Sequence, residues 1–350
     1  MLRLPSLVVP VHGPAALAAA VRYGADNVTI RGWPSRPSDS SVVERGGFLP
    51  GFRPEDVAAA VEFCASRSIG VRVPIQGALT SGGIQAALDL AGGFIEVGVG
   101  TFVVSDPGLA IAIGHSFPDA VLLAGEGMMV GSVATAHAIR NLGFKGIVAP
   151  SGVGLATIAD IRRETDLGVE VSLFGARPVA LCHICSLSQY FMGVPCEGPT
   201  FGVCRGPFDA AAISPGMEAA LAAGARSRWL DMRFYSALAA LPALLQAGVD
   251  SVTIDTDRRS SGAVRLLVRV FRSALDSAGA SAFNGDAFRL REAWLADIRR
   301  ASMHDVVTPG FFGDAANWRG DEPESVVFLA ARAFEHVITD IESDSEDGVR

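Results

Sequence analysis

Four of the five cysteines fall within 23 residues: Cys182, Cys185, Cys196 and Cys204, spaced C-x2-C-x10-C-x7-C. Random scatter would place about a third of a cysteine in such a window, so the grouping points to a shared role. A C-x-x-C pair lets two thiolates from one turn converge on a metal or cluster, and two more distant thiolates complete four ligands. The run GVPCEGPTFGVCRGPF is loop sequence, able to wrap a cluster and offer backbone N–H groups to its sulfides. An iron–sulfur cluster is the first reading, a structural zinc the second, and reduced or disulfide-forming thiols the third. Zinc sites usually show two tight knuckles, whereas the last two cysteines here are separated by seven residues. The fifth cysteine, Cys64, lies in the amphipathic run AAAVEFCASRS and reads as a helical core residue. His183, inside the C-x-x-C, reads as a neighbour of the ligands rather than as one of them.

Other nucleophile chemistry finds few positions. Of 29 basic residues, only Lys145 is a lysine, and no glycine-rich phosphate loop surrounds it, which counts against P-loop and Schiff-base chemistry. There is no G-x-S-x-G elbow, no H-E-x-x-H, and no Cys/His pair apart from the cysteine group. A net charge of −8 without any Lys/Arg run disfavours nucleic acid as a partner. Apolar residues make up 49% of the chain, which excludes a disordered polypeptide. The N-terminal run MLRLPSLVVPVHGP lacks a signal-peptide core and no stretch is apolar enough to span a membrane, so a cytoplasmic location is expected.

The elements that must position these residues alternate regularly. Strands are predicted at Leu7–Val11, Asn27–Arg31, Gly70–Ile75, Thr101–Ser105, Ala120–Ala124, Gly146–Ala149, Val169–Phe174 and Asp250–Asp255. Helices are predicted near 14–23, 53–68, 83–92, 107–116, 131–142 and 155–165. The strands are short apolar runs without strict alternation, as expected of parallel strands buried on both faces. Eight such units suit an α/β fold of the TIM-like (β/α)8 barrel type. A dinucleotide-binding sheet would need G-x-G-x-x-G after the first strand, where His12-Gly13-Pro14 stands instead. Glycines before the strands (Gly24, Gly70, Gly100, Gly143 and Gly168) are expected to close the preceding helices. Residues 1–340 read as one barrel domain, with 175–248 inserted between the seventh and eighth strands and bearing the cysteines. Residues 341–350 read as an acidic flexible tail. The long Pro- and Ser-rich link Gly32–Phe52 has the composition of a lid or an unstructured loop.

Barrel active sites lie at the C-terminal ends of the strands. Polar residues predicted there are His12, Arg31, Gln76, Asp106, Glu126, Ser151, Arg177 and Asp255. His12, Glu126 and Arg177 are the candidate catalytic residues, and Arg31, Gln76 and Asp255 the candidate substrate-binding ones. Asp106 before Pro107 also reads as a helix N-cap, and Ser151 before Gly152 as a turn. An arginine such as Arg31 or Arg177 could clamp a carboxylate bidentately. His115, His137 and His336 read as helix-surface residues, and His304 has no assigned role.

The run VSLFGARPVALCHICSLSQYF, with Gly175-Ala176-Arg177-Pro178 ahead of Cys185, resembles the signature of the collagenase-like peptidase family U32. Pro178 resembles the UbiV-type members of that family, which carry proline where other members have their first cluster cysteine. AALAAAVRYGADNVTIRG, LPALLQAGVDSVTID and TPGFFGD resemble further family elements, and the likeness covers about residues 5–315. Two departures stand out. Ile254-Asp255-Thr256-Asp257 replaces the family's I-E-G-R, leaving only Arg258 to stand in for its arginine, and the loop GWPSRPSDSS lacks a cysteine that such members carry. The resemblance implies a [4Fe–4S] cluster; of the four proposed ligands, Cys185 and Cys196 match the family best, Cys204 is shifted in spacing, and Cys182 rests on the local C-x-x-C spacing alone. It implies an iron–sulfur component of an oxygen-independent hydroxylase acting on a quinone precursor or a similar small aromatic or isoprenoid substrate. A prephenate-like acid would be the oxygen donor, and a paralogous member the partner in a heterodimer. The alternatives are a non-catalytic cluster-bearing subunit, a peptidase, or an RNA-modifying hydroxylase.

Overall fold

The computed structural model describes residues 3–30, 52, 54–75, 79, 81–150, 152–176, 234–256, 259–302 and 306–307. Within them the order is β1 (Ser6–Val11), α1 (Pro14–Arg22), β2 (Asn27–Ile30), α2 (Pro54–Ala65), β3 (Gly70–Ile75), α3 (Ser81–Glu96), β4 (Thr101–Val104), α4 (Pro107–Ser116), β5 (Val121–Ala124), α5 (Val133–Asn141), β6 (Gly146–Val148), α6 (Leu155–Glu164) and β7 (Gly168–Ala176). The chain continues with β8 (Phe234–Ser236), α7 (Leu241–Gln246), β9 (Ser251–Ile254), α8 (Ser261–Asn284), α9 (Glu292–Ala301) and β10 (Val306–Val307).

Strands β1 to β7 pair in sequence, all parallel, and β9 closes the ring by pairing with both β7 and β1. Ser251 at the start of β9 lies opposite both Ser6 and Glu170. The result is the expected eight-stranded parallel barrel with helices outside. Runs such as SLVVPV and TFVV suit it because one face meets the helices and the other the barrel interior. Strand bounds agree with the sequence reading to within two residues in every case.

Local chemistry sets the helix ends. Pro14 and Pro107 occupy first-turn positions, where a missing N–H costs nothing. Ser132 and Ser260 cap their helices by accepting from the N–H groups of Thr135 and Ala263. Gly24 and Gly143 take φ values of 108° and 93°, as expected of helix-closing glycines, but before β4 that conformation belongs to Gly98 rather than Gly100.

The barrel interior departs from the usual filling of branched apolar side chains. Arg72 on β3 forms a bidentate pair with Glu170 on β7, at 2.5 and 2.7 Å. These strands lie half-way round the ring from one another, so the pair crosses the barrel. Arg72 Nε also donates to Thr29 Oγ1 on β2 (2.7 Å), and Ser251 Oγ on β9 donates to Glu170 Oε2 (3.1 Å). Both charged residues are buried.

The seventh and eighth strands of the ring are β7 and β9, and the chain between them includes β8 and α7. β7 runs through Ala176, β8 begins at Phe234, and the residues from Tyr235 onward bury Leu238, Leu241 and Leu244 in the core. The apolar run LAALPALLQ belongs to the barrel unit: its leucines join the hydrophobic core, and α7 packs against α8. The described residues all belong to one compact unit, within Met1–Arg177 and Arg233–Trp318. The predicted lid at 32–52, apart from Phe52, and the acidic tail lie outside the described residues. No helix among the described residues is long and apolar enough to cross a membrane.

Removing one partner of the interior pair leaves a buried, uncompensated charge. Glu170→Ala is expected to lower stability in urea denaturation by about 3–5 kcal/mol. The double variant Arg72→Met/Glu170→Leu should lose less. Equal losses in the two would show that burial of charge is not the controlling factor.

Candidate functional site

At the C-terminal end of the barrel, β7 carries a bulge between Ser172 and Phe174 and then pairs antiparallel with β8. Phe174 lies opposite Ser236, Gly175 opposite Tyr235, and Ala176 opposite Phe234; β10 adds Val306 beside Phe234. The segment 177–233 therefore leaves and re-enters the barrel at adjacent, hydrogen-bonded positions at this end. That segment contains Arg177, Cys182, Cys185, Cys196 and Cys204, all outside the described residues. Arg31, Gln76, Ser151, Arg258, His304 and His336 also lie outside them.

The root of this segment is tightly built. Asp255 N donates to Phe174 O at 2.7 Å. A Cβ on Gly175 would stand 2.8 Å from Asp255 Cβ, so only glycine lets β7 and the end of β9 approach this closely. Thr256, fully buried, donates its hydroxyl to the Pro10 carbonyl on β1. Arg259 spans the same corner. Its Nε donates to Asp255 O (3.3 Å), its Nη1 donates to Ala301 O (2.6 Å), and its guanidinium lies 5.3 Å from the centre of the Phe174 ring. Phe174 in turn meets Phe271 of α8 at 5.7 Å between ring centres.

Three predicted site residues fall on described positions at this end. His12 follows β1 and Asp255 follows β9, so they leave neighbouring strands, and both are half-buried. Glu126 opens a short 3-10 turn, Glu126–Met128, after β5, half-way round the ring from β1. The structure thus brings His12 and Asp255 to adjacent strand ends and sets Glu126 across the mouth from His12. Asp106 is a structural residue: Oδ1 accepts from Leu109 N (2.9 Å) and caps α4, while Oδ2 accepts from Leu79 N (3.0 Å). His115 is exposed in the last turn of α4, and His137 half-buried on α5.

Cys64 is fully buried in α2, as its sequence setting predicts. Burial pushes its thiol up to about 11, against a smaller opposing pull from Arg67. It is therefore a protonated core residue at neutral pH and a poor metal ligand. No group of three or more His, Cys, Asp or Glu side chains able to hold a metal occurs among the described residues. A thiolate ligand set would have to come from the four clustered cysteines.

Sequence reasoning did not single out Arg72, Glu170, Thr256 or Arg259. The first two were signalled by a charge inside GVRVPI and GVEVSLF, runs otherwise apolar on both faces, where a charge requires a partner. Thr256 and Arg259 gave no comparable signal, because their partners are carbonyls from β1 and α9.

The pattern of peptidase family U32 matches residues 13–320. The chain is 21% identical over 311 residues to the tRNA hydroxylation protein P1 of Bacillus subtilis (strain 168), covering 88% of this chain and 71% of that protein. It is 24% identical over 274 residues to the 23S rRNA 5-hydroxycytidine C2501 synthase of Escherichia coli (strain K12), covering 77% of this chain and 39% of that protein. Among solved structures, the U32 peptidase Mk0906 aligns with 72% of this chain and 92% of its own, at 14% identity and a TM-score of 0.45.

Two outcomes follow from the geometry. Gly175→Ala must push β7 away from Asp255 and is expected to cost about 1–3 kcal/mol in chemical denaturation, whereas Gly100→Ala, which meets nothing within 4 Å, should cost far less. Cys64 ionises near 9 when unfolded and about 11 when folded, so its contribution is complete below pH 9 and is lost as pH rises toward 11. Alkylation of Cys64 in the native protein at pH 8 should be at least about 100-fold slower than in urea. Comparable rates would show an accessible thiol.

Proposed function

This chain belongs to peptidase family U32, and from that premise we propose that it is a component of an oxygen-independent hydroxylase. The observation that carries the reading is that both curated relatives are named for RNA hydroxylation, one of tRNA and one of a 23S rRNA cytidine. The chain spans 71% of one and 39% of the other, so it is the shared barrel, rather than the whole of either protein, that supports the proposal.

The proposed cofactor is a [4Fe–4S] cluster on Cys182, Cys185, Cys196 and Cys204. Four thiols in one Gly- and Pro-rich segment suit it, and the fifth, Cys64, is held protonated in the core. Such a cluster supplies electron transfer or a Lewis-acidic iron when bound. The anchoring of 177–233 at Ala176 and Phe234 supports a placement of this chemistry at the C-terminal end of the barrel. There His12 is suited to hold or move a proton, and Asp255 to orient a hydroxyl or amine of the substrate. Glu126 offers a second carboxyl across the mouth. Arg31 and Arg177 have the chemistry to bind the carboxylates of a prephenate-like oxygen donor.

For the substrate we propose a quinone precursor or a related small aromatic or isoprenoid molecule, handled together with a paralogous partner. The net charge of −8 and the absence of any basic run support a small molecule over a polyanion. An RNA base is the second reading, favoured by what both curated relatives act on. A peptidase role has no nucleophile motif in its support.

Anaerobic purification tests the cofactor. A brown protein with visible absorption and about four iron and four sulfide per chain is expected. Cys185→Ala should lose the colour and Cys64→Ala should keep it; a colourless, zinc-containing protein would overturn the cluster. Deleting the gene and growing without oxygen separates the substrates. Loss of a hydroxylated quinone supports the first reading and loss of a hydroxynucleoside the second. If neither changes and a related protein co-purifies, the chain is a non-catalytic subunit.

A further inference from the structure

The N-terminal end of the barrel holds a cavity of about 280 Å³, remote from the strand ends considered above. Its wall is formed by first residues of the barrel strands, including Ser6, Asn27, Gly70, Thr101, Gly168 and Ser251. In barrels this end normally serves stability, with no opening into the interior. Three of its lining residues, Gly70, Gly146 and Gly168, carry no side chain. The cavity reaches Arg72 and Glu170 inside the barrel.

The charges of the wall do not cancel. Glu170 accepts two bonds from Arg72 and one from Ser251. Asp250 is matched by Arg162, with Nη2 to Oδ1 at 3.0 Å and Nε to Oδ2 at 2.8 Å, and its Oδ2 also accepts from Val169 N. Both carboxylates are thus neutralised and their oxygens occupied. Arg3 and Lys145 also line the cavity, and neither has an ion-pair partner among the described residues. Donors are in excess as well. Among the described residues, Arg72 commits three of its five N–H groups, to Thr29 and Glu170, and its side chain is nine-tenths buried. Among the described residues, the side-chain amide of Asn27 and the hydroxyls of Ser6 and Thr101 likewise have no hydrogen-bond partner. A cavity with surplus positive charge, surplus donors and saturated carboxylates is complementary to an anion with several oxygens.

We propose that this mouth binds a small oxyanion, of phosphate or carboxylate type, with Lys145 and Arg3 at the rim and Arg72 at the floor. The site is independent of the hydroxylase reading, because it shares no residue with the C-terminal end. It gives a role to the only lysine in the chain. A flexible ammonium at the rim can follow a ligand in and out, whereas the guanidinium below is fixed by its pairing with Glu170.

Because Lys145 is unique, its reactivity reports the site directly. Native protein would be acetylated with an N-hydroxysuccinimide ester, and modification of Lys145 read by peptide mass spectrometry against an added lysine-containing peptide. About 10 mM inorganic phosphate, at ionic strength matched with chloride, should slow acetylation of Lys145 at least about fivefold relative to that peptide. Arg3→Ala should remove most of the protection, and Lys145→Met should remove the rise in melting temperature that phosphate produces. A parallel arm with succinate distinguishes the anion: protection by phosphate alone assigns phosphate, and protection by succinate alone assigns a carboxylate. No protection by either, or equal protection in Arg3→Ala, overturns the proposal. Neither result bears on the iron–sulfur reading, whose test is colour and iron content.

Discussion

A buried ion pair braces this barrel across its interior. Arg72 and Glu170 come from strands half-way round the ring, and their two parallel hydrogen bonds meet at the centre. Taking both charges out of water is expensive, and the pair is tolerable only because the remaining polar atoms are also supplied with partners. Thr29 on β2 and Ser251 on β9 do this from the strands beside each partner. Four of the eight strands are thereby tied to one register, since a slip of one residue in any of them would turn its polar group out of the barrel. Specification of closure is the best account of why charge sits where branched apolar side chains are usual.

The same brace separates two ends of different character. Towards the strand N-termini the wall is glycine-rich and positively charged. At the C-terminal end the chain is locked by backbone and hydroxyl contacts. Asp255 bonds to Phe174, Thr256 to Pro10, and Arg259 ties the last turn of α9 to that corner. β8 and β10 extend β7 at this point. The cysteine-bearing segment therefore begins and ends on paired strands, and the corner that carries Asp255 and neighbours His12 is set by contacts outside that segment.

Family membership and chemistry bear on different parts of the molecule. The family match spans residues 13–320 and includes the cysteine segment. The relatives' names speak to hydroxylation, while the acidic balance and the near absence of lysine distinguish this chain from a typical polyanion-binding protein. Gly175 illustrates how a motif becomes physical. Within the Gly-Ala pair of the family-like run, the glycine is needed because Asp255 occupies the space a Cβ would take.

The sequence by itself determined the alternation of elements, and hence the barrel. Runs such as TFVV and VLLA are apolar on both faces, and capping residues such as Pro14, Asp106 and Ser132 stop and start the helices locally. These are short-range properties, which is why strand bounds could be read so closely. It also marked Cys64 as core and the other four cysteines as a group. Only the tertiary structure decided what depends on distant partners. The residues from Tyr235 to Gly248, between the seventh and eighth strands of the ring, are held on the barrel because Leu238, Leu241 and Leu244 find a core there. Arg259 closes a corner by reaching Ala301, 42 residues later. Arg72 finds Glu170 98 residues away. A charge in a strand announces that it needs a partner, but the partner's identity is set by the circumference of the closed sheet, which no local pattern encodes.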